Sequence, residues 1–169
     1  MADLLSDGMF KVSFVPTILN VGAPKVTELS AVGAISLEGS LSAEGLNISS
    51  ETADIDTSKL NSTTNSGTIG RDTYTVSVTY VRDDGLDTAR TAVETALIRG
   101  ATGYLVVRRN KVSTAAWTIG DKVEVYPVIC KRPNPSAPAP DSSQSVEVGM
   151  AITDGLKVRA TDNPGLLVA

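Results

Sequence analysis

The chain has 169 residues, a formal charge of −4, one cysteine and no histidine. Its length predicts one domain, its acidic balance argues against a basic nucleic-acid-binding surface, and the missing histidine removes the usual base of a hydrolase triad. With 41 % hydrophobic but only 4 % aromatic residues, the core must rest on Val, Leu, Ile and Ala, which suits a sheet and leaves a marginal monomer to gain from assembly.

In chain order, Met1–Gly8 reads as an arm and Met9–Val15 as a strand stopped by Pro16. Ile18–Gly33 fits either a helical turn or irregular chain. Ala34–Leu41 alternates weakly, with Gly39 and Gly45 placed as at a bend or bulge. Ser49–Gly70 is polar, and its Ile55, Leu60 and Ile69 are too widely spaced for a stripe. Connections longer than about 12–15 residues usually carry function or are disordered. The segment therefore reads either as a hairpin loop flexible at its tip or as a loop ordered by a partner. Arg71–Val81 is the strongest predicted strand. Tyr74, Val76, Val78 and Tyr80 lie on one face, and Thr73, Thr75, Ser77 and Thr79 on the other.

The stretch GLDTARTAVETALIRG, residues 85–100, predicts the one long helix. Leu86, Ala89, Val93 and Leu97 form its apolar packing stripe. Asp84 suits the cap, Arg90 can pair with Glu94, and Gly100 can end the helix. Tyr104–Arg109 reads as a strand and Asn110–Ala116 as a turn or short edge. Lys122–Lys131 is a further strand whose Pro127 marks an edge or bulge. Trp117 reads as a core or subunit-contact residue. RPNPSAPAPDSSQ, residues 132–144, reads as a semi-extended linker. Ser145–Ile152 alternates again, with Val146 and Val148 on its apolar face, and the chain beyond reads as a short strand and loose tail.

Nothing in this order points to catalysis. The sequence DDGLD at 83–87 lacks the alternating ligands and closing Glu of a calcium loop. Asp54 and Asp56 have no aromatic substrate platform nearby, so solvation or contact with a neighbouring chain accounts for them better than acid–base work. Short glycine pairs in GTIGRD and GATG are not a phosphate-binding fingerprint. No metal, cofactor or catalytic residue is expected. Arg108, Arg109 and Lys111 form one small basic cluster and Lys131 with Arg132 another, each suited to an acidic neighbour. The N-terminus lacks the pattern of a signal peptide, and no apolar run is long enough to span a membrane. Folding in a reducing cytoplasm, without membrane insertion, is the expectation.

Four stretches carry a resemblance. They are VTELSAVGAISLEGSLSAEGLNISSETADIDTSKLNSTT, GRDTYTVSVTYVRDD, GDKVEVYPVICKRPNPSAP and QSVEVGMAITDG, which span most of residues 25–155. In this order the chain resembles the major tail proteins, the tail tube subunits, of long non-contractile-tailed bacteriophages, especially those of actinobacteria. The resemblance implies a mainly β, tail-tube-type β-sandwich/barrel subunit with one packed α-helix, contributing strands to a ring-closed inner β-barrel. Residues 1–155 would be one domain with an N-terminal arm, 1–8, and a long inter-ring loop, 49–70; residues 156–169 would be a C-terminal arm. Hexameric rings would stack into a conduit for DNA ejection. Inter-ring contacts would come from Glu51, Asp54, Ile55, Asp56, Lys59, Leu60 and Ile69, and the tube-wall strands would use Thr73, Thr75, Ser77, Thr79, Val146 and Val148. The implied partners are other copies of the chain, a tape-measure protein inside during assembly, and a tail terminator and distal tail protein at the ends. Double-stranded DNA would pass without specific binding. A single-ring tail terminator, neck or baseplate component is the alternative, followed by a non-viral β-sandwich adhesion module.

Overall fold

Apolar residues at both odd and even positions of YLVV and VEVYPVIC call for strands covered on two faces. The computed structural model, which describes residues 8–61, 63–82, 85–137 and 139–169, builds its sheet around them. The strands are β1 (Lys11–Val15), β2 (Ile35–Ser36), β3 (Leu41–Asp56), β4 (Gly67–Val81), β5 (Thr102–Arg108), β6 (Lys122–Cys130), β7 (Asn134–Pro135), β8 (Ser145–Ile152) and β9 (Gly165–Leu166). Among the described residues two α-helices, α1 (Val26–Leu29) and α2 (Thr88–Ala96), and a 3-10 turn at Gly155–Lys157 accompany them. The antiparallel path is β2-β1-β5-β6-β8-β4-β3, with β7 on β8 and β9 on β6.

One core gathers Val12 and Phe14 of β1, Leu105 and Val107 of β5, Tyr126 and Val128 of β6, Val146 and Val148 of β8, and Val76 and Val78 of β4. Val93 and Leu97 of the α2 segment close it. Residues from both flanks of the path thus face one interior, as in a β-sandwich. A second core lies on the opposite face of β1, β5 and β6. There Val15, Val106, Val123 and Val125 meet Ile18, Leu29, Trp117 and Leu167. Trp117 is therefore a core residue.

The expected closed barrel is corrected. Among the described residues β2 pairs only with β1 and β3 only with β4, so the sheet is open. The gap is lined by Phe10, Val12, Glu38, Leu41 and Leu46. Glu38 explains part of the break, because its carboxylate accepts from the Val12 N–H at 3.4 Å, where a strand carbonyl would otherwise bond.

Other expectations change locally. Ser49–Gly70 is mostly strand. Ser49–Asp56 belongs to β3 and Gly67–Gly70 to β4, leaving only 57–66 as the connection. A ribbon with no buried face has no reason to alternate, so its sequence carried no period. The helix starts later than its apolar pattern predicted. Asp87 caps it, accepting from the N–H groups of Ala89 and Arg90, while Asp84 and the arm residues 1–7 lie outside the described residues. Leu86 precedes the cap and Ala89 is exposed, so Val93 and Leu97 are the packing residues. Arg90 pairs with Asp87 and Glu94 with Arg82, rather than with each other.

Pro127 lies in an interior strand, not at an edge. Its nitrogen falls between the Val125–Arg159 bridge and the Thr153 N–H bonded to its own carbonyl, at the point where β8 ends. The proline-rich stretch folds back as β7, with Asn134 and Pro135 opposite Glu147 and Val146, and the Ser136 N–H donates to the Ser145 carbonyl at the start of β8. The chain after Leu156 is not loose, since Val158 and Leu167 are buried and β9 joins β6.

Candidate assembly surfaces

The β3–β4 hairpin outgrows the sheet. β8 accompanies β4 only from Val76 to Val81, whereas β3 stays paired with β4 out to Asp56 and Gly67. The last inward side chain with an aromatic neighbour is Tyr74, edge-on to Tyr126 at 6.2 Å. Beyond it, almost every residue of the limb is exposed. Two glycines permit this shape. At the base, the register shifts between Leu41 and Leu46, and a β-carbon on Gly45 would lie 2.3 Å from the Thr79 carbonyl oxygen. Farther out it shifts again between Thr52 and Asp54, where a β-carbon on Gly70 would lie 2.8 Å from the Ala53 carbonyl oxygen. Bulges of this kind turn a strand and raise its twist.

Alternation through these bulges divides the seven expected contact residues between two faces and the tip. Asp54 pairs with Ile69 and Asp56 with Gly67, on the face that continues Tyr74 and Asp72. Glu51, opposite Thr73, and Ile55, opposite Thr68, lie on the other face. Lys59 and Leu60 occupy the tip. The turn is closed by Thr57 N–H to Ser66 O at 2.9 Å and by Ser58 N–H to Asp56 Oδ1 at 2.8 Å. Hydrogen bonds from the Ser58 side chain and backbone hold the Asp56 carboxyl below its usual value.

The expected tube-wall residues also divide. Thr73 and Thr75 are exposed and Thr79 half-buried, on the face opposite Tyr74 and Val76. Ser77, on the same face, is buried. Val146 and Val148 point the other way, into the core, opposite Tyr80 and Val78. They back the sheet from the core side and cannot share a surface with the threonines. The threonine face borders a shallow depression of about 1010 Å³, with Arg71, Lys131, Glu147 and the exposed Leu156 at its margins.

The Arg108–Lys111 cluster points inward and is a correction to the outward reading. Arg108 is fully buried, donates to Asp121 at 2.8 Å, and also donates to the carbonyls of Val112, Ala115 and Ala116. It stacks over Trp117, with Lys11 also near that ring. Lys111 bonds the other Asp121 oxygen, and Thr118 donates to the same carboxylate through its N–H and hydroxyl. Burial pushes the Asp121 carboxyl up, but the hydrogen bonds from Lys111, Arg108 and Thr118 outweigh it and hold the group at about 2. Arg109 binds Glu124 through two nitrogens at 2.7 and 3.0 Å, and Tyr126 and Thr161 donate to the same carboxylate. Burial first, then the Glu124 charge, pushes the Tyr126 hydroxyl far above its usual value. Glu124 was missed in the sequence, although alternation places it beside Tyr126 and Val128 on an inward face.

A second basic group stays outside. Gly100 donates to Cys130 O and Cys130 donates to Ala101 O, which brings Arg99 beside Lys131 and Arg132. All three are exposed, next to Ile98, which is also exposed. Cys130 itself is buried, and burial pushes its thiol up to about 11, which leaves it unreactive. Among the described residues no group of three or more His, Cys, Asp or Glu is placed to hold a metal, and no helix is long and apolar enough to cross a membrane.

A family model described as phage tail tube protein matches residues 1–162. No curated protein matches the chain. Among solved structures, a chain of the cryo-EM structure of the anti-feeding prophage (AFP) baseplate, 6-fold symmetrised, has the same fold. The TM-score is 0.54, covering 91% of this chain and 95% of that one at 7% identity.

Proposed function

The chain belongs to the phage tail tube protein family and is a structural part of the virion tail; from that premise we propose that it assembles into hexameric rings that stack into a tube for DNA ejection. The observation that carries this reading is the projecting β3–β4 limb. A two-stranded ribbon exposed on both faces is marginal alone in water. This one exposes Ile55, Leu60 and Ile69, and it keeps its pairing to the tip. A neighbouring copy that covers it would supply the missing burial.

In this reading Glu51, Asp54, Ile55, Asp56, Lys59, Leu60 and Ile69 contact the adjacent ring. The threonine face of β4 is directed toward the lumen. Exposed hydroxyls among mixed charges give a sliding polyanion little to bind, so DNA passes without retention. A tape-measure protein occupies the lumen during assembly, and a tail terminator and distal tail protein close the ends.

A second reading has a specific observation behind it. A chain of a baseplate structure shares the fold, and in this second reading the chain is a baseplate component that stops at one ring. Negative-stain microscopy of the purified full chain separates the two. Long tubes support the tail-tube reading, and single rings at every concentration overturn it.

A further inference from the structure

The acidic face of the limb and the basic group at Arg99 lie on opposite sides of the same strand row. Val76 of β4, Met150 of β8 and Cys130 of β6 are direct cross-strand neighbours. From that row β4 runs backward through Tyr74 and Asp72 to Ile69. Because β8 is antiparallel to β4 and β6 to β8, the chain leaving Cys130 toward Lys131 and Arg132 runs the other way. Ile69 is seven residues from Val76, or roughly 23 Å along an extended strand. The two surfaces are too far apart to meet within one molecule.

Their chemistry is complementary. The Tyr74 side of the limb presents Asp54, Asp56 and Asp72 around Ile69, all exposed. Arg71 lies with the threonines on the other side. The opposite end presents Arg99 next to Ile98 and, where the chain leaves β6, Lys131 and Arg132, with Lys131 leaning over Gly149 at the margin of the threonine face; none of these three makes an ion pair among the described residues. We infer that the limb of one copy docks on the Ile98–Arg99–Lys131–Arg132 surface of a second copy, with Ile69 against Ile98 and the three carboxylates facing the three cations.

Such a contact joins two different patches of identical chains. It is heterologous, so it can repeat from copy to copy, and in the stacked-ring reading it repeats along the stack. The limb face is about 20 Å long and 10 Å wide from strand rise and spacing. One such contact is far below a stable interface, so a monomer in dilute solution is expected. Several acting together between two rings become strong through their effective concentration. The inference rests on the stacked-ring reading and adds the acceptor surface to it.

Charge reversal tests it, because all substituted residues are exposed. One variant carries Asp54→Lys and Asp56→Lys, the second Arg99→Glu and Lys131→Glu, and the third all four changes. Unchanged thermal melts of the dilute proteins establish folding. Each two-residue variant is expected to raise the concentration needed for assembly on the order of tenfold or more, because like charges then meet across the contact. The four-residue variant is expected to restore assembly. Separately, Ile69→Cys and Ile98→Cys proteins are mixed and oxidised. A disulfide-linked heterodimer is expected, and the buried Cys130 does not compete.

Wild-type tubes together with unaffected charge variants and no heterodimer overturn the contact and leave the tube reading intact. Single rings from the wild type overturn the tube reading. In that case the heterodimer alone decides the contact: its formation supports head-to-tail docking, and its absence refutes it.

Discussion

Asp121→Asn is expected to destabilise the subunit by about 3 kcal/mol, since it keeps the side chain's shape and removes a buried negative charge. Asp121 and Arg108 are both almost inaccessible to water, and their 2.8 Å contact is the only ion pair the guanidinium makes among the described residues. Breaking such a pair typically costs about 3–5 kcal/mol, because the surviving charge stays buried without its partner. Three facts place this case near the lower end. Arg108 retains three backbone carbonyl acceptors. Lys111 is partly exposed and can turn to water, so its contact contributes little. The Asn amide keeps one oxygen for Thr118. For a chain of this length each kcal/mol moves the midpoint by about 2–4 °C, so a loss of about 6–12 °C is expected. Thermal and urea unfolding of the dilute subunit, followed by far-UV circular dichroism, measures it. The double variant Arg108→Met, Asp121→Asn removes both charges and should recover most of the loss. A single variant that costs under about 1 kcal/mol, or a double variant no better than the single, refutes the reasoning.

The same carboxylate sets an acid limit. Its folded value of about 2 lies below the ordinary value of 3.8, so its contribution is fully present above about pH 4 and is lost as pH falls toward 2. That difference amounts to about 2 kcal/mol, and urea midpoints at pH 6, 4 and 2.5 should show it in the wild type but not in Asp121→Asn. Gly45→Ala forces a methyl group against the Thr79 carbonyl and should cost at least about 2 kcal/mol; an unchanged urea midpoint would show that the bulge does not need glycine. Replacing residues 57–66 by Asn-Gly, which suits a two-residue hairpin turn, should leave the melt within about 2 °C, because none of its described residues belongs to either core. Long assemblies should nevertheless become scarce by negative stain, and normal tube lengths would count against a role for the tip.

What could be read from the sequence was what burial had imprinted on it. Tyr74, Val76, Val78 and Tyr80 alternate because one side of β4 meets the core, and β8 shows the same pattern through Val146, Val148 and Met150. The limb was illegible as strand for the converse reason. With both faces in water, Ser49–Asp56 had no period, and its register depends on Gly45 and Gly70 at two bulges. Polar residues at inward positions were the second blind spot. Arg108 alternates with Val106 and Glu124 with Tyr126, so both occupy inward positions of their strands, yet Arg108 was read as outward and Glu124 was missed. Their partners lie 13 and 15 residues away, at Asp121 and Arg109, and no local spacing names them. The open sheet had the least trace of all, since part of the break rests on Glu38 accepting from the Val12 N–H across 26 residues.

The most direct test is a reconstruction of the assembled full chain, or of virion tails, at a resolution that traces β3 and β4. The account predicts six subunits per ring, many stacked rings, and the limb of each subunit crossing to the adjacent ring. An assembly of one ring, or a limb that folds back entirely within its own ring, would contradict it.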